Sequence, residues 1–509
     1  MAVAARTRVT GMTATTAFRP RATSPAATAP AAGSVSVPVG TAAPAADTST
    51  AAAASVPGAK RVLAASVFGF FLVGLDAMVV NVALPAINRS LAGGLSGAQW
   101  VIDGYTLAFA ALMLSAGALA DRIGAKAAYG LGLIGFTLAS AACGLAPSLG
   151  LLIVARLAQG AAASVMLPAS LALVRQAFPD PVARNKAIAI WTAAGSAAAA
   201  AGPVAGGLIT AAVDWRWIFF LNLPAGALAL ALLAGTAKTA RTATGAGAGA
   251  RFDLAGLLSS VAALAGLTYG FIEGGSKGFG TAPVLAAFGA AAVGAVVFAV
   301  AESRQARPMV PLALFRSRAM SLSAAAGFAV NAAFYGVIFV LSLYFQQVGH
   351  KSATVTGLLF APITAVVTLV NLTVAARMVA RIGARLSMTI GLVGTAGAML
   401  VLLAVRPDLP AWALVLLLVP VAFAGSFVVP ALTIMVMGSV PADRAGTAAG
   451  IVNTSRQVGG ALSVAVIGAL VAGGDFTGGM HAGLIGMAAL LLVTAVTVQF
   501  LAPGKKQAA

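Results

Sequence analysis

Gly117–Lys126 reads GALADRIGAK, and 259 residues further on Ala376–Arg385 reads ARMVARIGAR. The two share an alanine or valine, a variable residue, then Arg-Ile-Gly-Ala and a base. Two more pairs keep nearly the same offset. Leu167-Pro168-Ala169 matches Val429-Pro430-Ala431 at 262, and Pro181 to Arg184 matches Pro441 to Arg444 at 260. Three matches at nearly one offset indicate an internal duplication.

The unit that is duplicated follows from the apolar runs. A membrane helix needs about 20 mostly apolar residues, and about fourteen such runs lie between residues 62 and 502. Lipid satisfies no open backbone group, so the runs are expected to be helices. They do not alternate as barrel strands would. At about 32 residues per span and loop, an offset of 260 equals eight spans, an even number, so the repeats are parallel. The expected fold is an all-α membrane protein of about 14 transmembrane helices, in two parallel-repeat six-helix bundles with an extra helix pair between them. The expected layout is a disordered cytoplasmic tail (1–60), an N-terminal bundle (61–237), an inner loop, two extra helices and a second inner loop (238–319), a C-terminal bundle (320–502) and a cytoplasmic tail (503–509). Parallel halves around a central site suit alternating access.

Composition agrees with this layout and excludes others. Of 509 residues 60% are hydrophobic and only 8% charged, against about 25% charged in a soluble domain. A soluble enzyme is excluded. The net charge of +19 suggests nucleic acid until the charges are placed. Of 31 Lys and Arg, 24 fall in the tails and loops of one side. Five fall on the other side (Arg89, Arg216, Lys277, Lys351 and Arg406), and Arg156 and Arg456 lie inside spans. That is a positive-inside bias, which places both termini in the cytoplasm and the chain in the cell inner (cytoplasmic) membrane. No nucleic-acid partner is needed to explain it. Residues 1–58, rich in Ala, Thr, Pro and Ser, cannot build a core and are read as disordered. They also resemble an organellar transit peptide, and a start codon assigned too far upstream would explain them as well. The stretch 238–251, with its GAGAGA, is read as a flexible loop, because no phosphate-cradling G-x-x-x-x-G-K-[ST] occurs. With twelve acids, one cysteine (Cys143) and two loop histidines (His350 and His481), no nucleophile–base pair or metal set can be assembled. The chain is expected not to be an enzyme.

Several segments resemble the major facilitator superfamily, specifically its fourteen-span drug:proton antiporter branch of the quaternary-cation and methylenomycin/puromycin-resistance type. The resemblance covers residues 60–502. It rests on GALADRIGAK, on LDAMVVNVALP (Leu75–Pro85), on Arg156-Leu-Ala-Gln159-Gly160, and on Ala198 through Gly-Pro-Val-Ala-Gly-Gly (202–207). DWRWIFFLNLP (214–224), NTSRQVGG (453–460) and QWVIDGYTL (99–107) also look like this branch. Two residues depart from its pattern. Met78 stands where the branch has a hydroxyl residue, and Ala198 where it has a glycine.

The resemblance implies a proton-coupled secondary exporter of drugs or antibiotics, driven by the proton gradient without a cofactor. Expected partners are a small amphiphilic drug or antibiotic, protons and membrane lipid, with the chain a monomer. Asp76, with Arg156 and Asp103, is the expected proton-coupling set. A mid-membrane carboxylate costs at least ~2.5 kcal/mol, so Asp76 must face a cavity, find a partner or hold a proton. Asp103 can attract a cationic substrate, help carry protons, or sit in a wet outer vestibule. Arg156 can tune Asp76 or form a fixed ion pair with it, since it cannot neutralise itself. Gly117, Asp121, Arg122, Gly124 and Lys126 are expected to form an inner gate loop, with the glycines letting helices approach. Gly202, Pro203, Gly206 and Gly207 are the antiporter motif, read as a proton seal or as generic tight packing. Asn81, Phe328, Phe334, Tyr335 and Tyr344 are substrate-cavity candidates, though the aromatics can equally face lipid. Arg456 lies near the inner end of its span, where snorkelling is available, and is read as a packing or gating residue; Glu273 is read as interfacial. The rival readings are a related exporter of a lipid or endogenous metabolite, a proton-coupled nutrient importer, a membrane enzyme, and a channel or scaffold.

Overall fold

The computed structural model describes residues 58–236, 253–305, 308–440 and 445–502. Among these there is no strand, and thirteen helical segments are long and apolar enough to cross a membrane. The remaining expected run is the 30-residue helix Gly94–Ile123, in which the side chains of Leu114, Ala118 and Asp121 lie outside the described residues. Nearly all of the expected tail 1–60, the loop 238–251, the tail 503–509 and the repeat segment Pro441–Arg444 also lie outside them.

The first half comprises α1 (Ala59–Leu91), α2 (Gly94–Ile123), α3 (Ala125–Gly144), α4 (Leu149–Ala177), α5 (Pro181–Ala212) and a sixth span in two pieces, α6 (Trp217–Phe220) and α7 (Asn222–Ala234). The extra pair is α8 (Leu254–Lys277) and α9 (Ala282–Arg304). The second half comprises α10 (Arg318–Leu343), α11 (Ala353–Val370), α12 (Ala376–Ile382), α13 (Ala384–Val401), α14 (Ala411–Gly425), α15 (Val428–Met437), α16 (Ala445–Val471) and α17 (Phe476–Leu501).

The few polar residues set where these helices begin. The carboxylates of Asp180, Asp253 and Asp475 accept from the backbone N–H of Ala183, Gly256 and Gly478 at 2.7, 2.7 and 2.9 Å, capping α5, α8 and α17. The duplication is visible in the backbone. Gly124, between α2 and α3, has φ 90° and ψ 143°, and Gly383, between α12 and α13, has φ 87° and ψ 161°. Only glycine adopts that region readily, so the glycine shared by the two quoted loops is a requirement of the turn. Apolar residues left outward, such as Leu285, Val293 and Val296 on α9, suit lipid contact.

Within the first half α1 packs on α4, α5 and α7, and α2 and α3 both pack on α4. Within the second, α10 packs on α16 and α17, and α13 on α14 and α17. The halves meet along α2 with α16, α5 with α11, and α1 with α10. The extra pair is not peripheral to this junction, because α8 packs on both α2 and α16.

The halves are fastened at the end opposite the two repeated loops. Gln99 Nε2 donates to the carbonyls of Val464 and Ala465 at 3.3 and 3.1 Å. Ser342 Oγ donates to the Asn81 carbonyl at 2.8 Å, and Gln346 Nε2 to the Val82 carbonyl at 3.0 Å. A Cβ on Gly207 would strike the Ala353 carbonyl, and one on Gly357 would strike the Pro203 carbonyl. That end of the bundle is closed.

Candidate functional site

Asp76 lies near the middle of α1 and is fully buried. Its Oδ2 accepts from Arg156 Nη1 at 2.5 Å, and its Oδ1 accepts from Gln159 Nε2 at 2.9 Å and from Asn222 Nδ2 at 3.0 Å. Arg156 and Gln159 come from one turn of α4, and Asn222 opens α7. Ser140 of α3 ties the set together, because its hydroxyl accepts from both Gln159 Nε2 (2.7 Å) and Asn222 Nδ2 (3.1 Å). Arg156 also donates through Nη1 to Gln159 Oε1 at 2.8 Å and through Nε to the Val101 carbonyl at 3.0 Å. Its guanidinium lies 4.3 Å from the centroid of the Tyr105 ring. The charge of Asp76 is therefore matched and its lone pairs are occupied, which is what makes a buried ion pair tolerable.

The glycine of the R-x-x-Q-G string explains how these groups meet. A Cβ on Gly160 would strike the Tyr105 carbonyl, so its absence lets α2 close on α4 and lays the Tyr105 ring on Arg156. Arginine, glutamine and glycine thus serve one junction.

Asp103, one turn beyond Gln99 on α2, is the opposite case. It is 0% exposed, and neither of its carboxylate oxygens has a hydrogen-bond partner. The expected alternative of a wet outer vestibule is not what the structure shows.

Arg456 is the twelfth of 27 residues of α16, well inside the span, and it packs against α10 rather than snorkelling to an inner end. Nε donates to Asn331 Oδ1 at 3.2 Å and Nη1 to Asn453 Oδ1 at 3.5 Å, and among the described residues no carboxylate pairs with it. Gly327 of α10 makes room for its stem.

The gate-loop residues divide. Among the described residues a Cβ on Gly117 would meet nothing within 4 Å, and Gly124 is required by its turn. Among the described residues no neighbouring helix comes within contact of either position. Lys126 Nζ donates to the Thr236 carbonyl at 2.5 Å and Arg61 to the Gly235 carbonyl at 3.5 Å, both at the C-terminal end of α7, where a cation is favoured. Arg122 sits in the last turn of α2. The Asp121 side chain lies outside the described residues.

The antiporter motif forms a seam. Gly202 sits against Met78 and the Leu75 carbonyl, and Gly206 against the Val79 carbonyl, both on α1. Pro203 and Gly207 face α11 of the other half. The departure at Ala198 is absorbed on α1, where Gly74 leaves the space that the extra methyl fills. Among the cavity candidates, Phe328, Phe334 and Tyr335 are half-buried. Tyr344 is buried at the closed end with its ring 6.2 Å from that of Phe476 on α17, and the Asn81 amide donates to the Ala77 carbonyl of its own helix. Both are almost fully buried. Glu273 is more than interfacial: its Oε1 accepts from Ser96 Oγ (3.0 Å) and Trp100 Nε1 (3.2 Å), clamping α8 to α2.

Four residues of the site were not singled out from the sequence. Gln159, Asn222 and Tyr105 lay inside the quoted strings RLAQG, DWRWIFFLNLP and QWVIDGYTL, so their signal was present. Ser140 carried none, being one small polar residue in an alanine-rich run.

Residues 66–464 match the model of the Major Facilitator Superfamily. The chain is 39% identical to the multidrug resistance protein Stp of Mycobacterium tuberculosis, over 81% of this chain and 75% of that protein. It is 35% identical to the methylenomycin A resistance protein of Bacillus subtilis, over 85% of this chain and 93% of that protein. Among solved structures, a D-xylose–proton symporter shares the fold with a TM-score of 0.63, 15% identity, and coverage of 88% of this chain and 99% of that one.

Proposed function

This chain belongs to the major facilitator superfamily, and from that premise we propose that it is a proton-coupled exporter of drugs or antibiotics working by alternating access. It is a multi-pass membrane transporter, not an enzyme. In our reading it lies in the cytoplasmic membrane with both ends in the cytoplasm, so the repeated loops face inward and the closed end faces outward. Relatives named for resistance to drugs and to methylenomycin support an amphiphilic drug or antibiotic as cargo.

The observation that carries the coupling is the contrast between two buried carboxyls of the first half. Asp76 has three donors, one of them the Arg156 cation, and Asp103 has none among the described residues. A buried carboxyl without donor or counter-ion is stable only as the neutral acid. On this reading Asp103 carries the proton in this conformation, while Asp76 is held by Arg156. Moving a proton onto Asp76 cancels the charge that fixes Arg156, and the α1–α4 junction loosens. Return of the charge restores it. Proton and cargo then alternate in biasing one rocking equilibrium. The gradient suffices: about 2.3 kcal/mol per charge per 100 mV, plus ~1.4 kcal/mol per pH unit.

The test is uptake of methylenomycin and of a lipophilic dye into everted vesicles, with and without an imposed pH difference. Wild type should accumulate both only when the difference is present. Asp103→Asn should fold and melt like wild type, because that carboxyl makes no hydrogen bond, yet lose pH-driven accumulation. Full accumulation by Asp103→Asn and by Asp76→Asn would place the coupling elsewhere.

A further inference from the structure

The extra helix pair carries a second pair of carboxyls, far from Asp76 in the sequence and unused by the mechanism above. Asp253 caps α8 through Oδ1, which also accepts from Gln305 Nε2 at 2.6 Å. Glu302, near the end of α9 and 2% exposed, accepts from the Val310 N–H through Oε2 at 2.9 Å. Each carboxyl has one further oxygen, Asp253 Oδ2 and Glu302 Oε1, and both are buried without a hydrogen-bond partner. These two orphan oxygens converge. Both press on the point where a Cβ of Gly256 would stand, the Glu302 oxygen 2.7 Å from it, and the two carboxyls are within hydrogen-bonding reach of each other. Glycine at 256 leaves the space in which they meet.

Two carboxylates so placed repel if both are charged. One proton between them removes the repulsion and gives both orphan oxygens their missing bond, as O–H···O. No ion pair reaches either acid among the described residues: Arg304 on α9, Arg316 on the turn Leu312–Arg316 and Arg318 on α10 make none with them. Arg251 and Arg307, near them in sequence, lie outside the described residues. We infer that Asp253 and Glu302 form a second proton-binding site, a carboxyl pair sharing one proton at the end of the extra helix pair that bears the repeated loops.

The shared proton fastens three elements at once. Asp253 holds the start of α8, Glu302 holds Val310 in the chain leading to the second half, and next to Val310 the Met309 sulfur lies 3.0 Å from Ser115 Oγ on α2. By the orientation proposed above, this site exchanges with the cytoplasm, whereas Asp103 lies toward the closed outer end.

The test uses the full chain in lipid nanodiscs, with infrared spectroscopy and thermal unfolding. Wild type minus Glu302→Gln at neutral pH should show the carbonyl stretch of one protonated carboxyl, lost on alkalinisation. Wild type minus Asp253→Asn should show the same, with the helix cap retained by the asparagine. Asp103 is present in every sample and cancels. The stability given by the shared proton is present while it is bound and lost as rising pH removes it, so the wild-type melting temperature should fall with pH. Glu302→Gln, which supplies a permanent N–H to Asp253, should flatten that dependence. Identical carboxyl bands in wild type and both variants would overturn the proposal. So would a rise in melting temperature on adding calcium that both variants abolish, because the pair would then be a cation site.

Discussion

Arg156 and Arg456 occupy similar local settings in the two halves, and their electrostatics are opposite. Each is followed within four residues by a glycine pressed on the carbonyl of an aromatic residue of the neighbouring helix, Gly160 on Tyr105 and Gly459 on Phe328. Each guanidinium is hydrogen-bonded to side chains from its own helix and from another. Yet Arg156 meets a carboxylate, and Arg456 meets, among the described residues, only asparagine oxygens. The packing device is common to both halves, while the charge compensation is confined to the first. A fold built from parallel repeats need not distribute its chemistry evenly, and this one concentrates matched charge where α1, α4 and α7 meet.

The sharpest way to break that contrast is to remove the acid. Asp76→Asn leaves Arg156 buried and uncompensated, and losing one partner of a buried pair costs about 3–5 kcal/mol. Thermal melting in nanodiscs should show a large destabilisation, and vesicle accumulation should fall to background. The double variant Asp76→Asn/Arg156→Gln should recover most of the stability and none of the transport. Recovery of transport would make the pair a structural staple only.

How much of this contrast could be read beforehand depends on what kind of information each residue carries. The helices were legible because lipid imposes one backbone solution, and the repeat because a turn that only glycine enters must keep its glycine, as Gly124 and Gly383 do. Asp76 and Arg156 stood out as charges in apolar runs. What could not be read was who meets whom. Ser140 and Asn222 enter the site through tertiary packing of α3 and α7, which no local pattern encodes. The partners of Arg456, Asn331 on α10 and Asn453 on its own helix, are likewise set by packing that the sequence does not print. Glu273 looked peripheral because its partners Ser96 and Trp100 lie more than 170 residues away.

A middle-sized effect should be equal in the two halves. Gly160→Ala and Gly459→Ala each push a methyl into a backbone carbonyl that cannot move alone. Overpacking of this kind costs about 1–3 kcal/mol. Parallel melting curves for the two variants should show similar losses. A loss in only one would mean that the shared glycine device is a coincidence of spacing.

The smallest expected effect is the one that most cleanly separates the arginines. Arg456→Gln gives up hydrogen bonds to Asn331 and Asn453, of which the second, at 3.5 Å, is long. Hydrogen bonds to a charged group are worth about 1.5–3 kcal/mol when well made. The same substitution relieves the cost of a mid-membrane cation, about 2.5–3.5 kcal/mol on insertion scales. The two terms nearly cancel, so the melting temperature should move little, by the equivalent of about 1 kcal/mol or less in either direction. Arg156→Gln, which strips Asp76 of its counter-ion, should cost several times more. If both arginine variants melt alike, then Arg456 has a negative partner in the membrane-embedded protein, and the electrostatic asymmetry of the halves is smaller than their geometry implies.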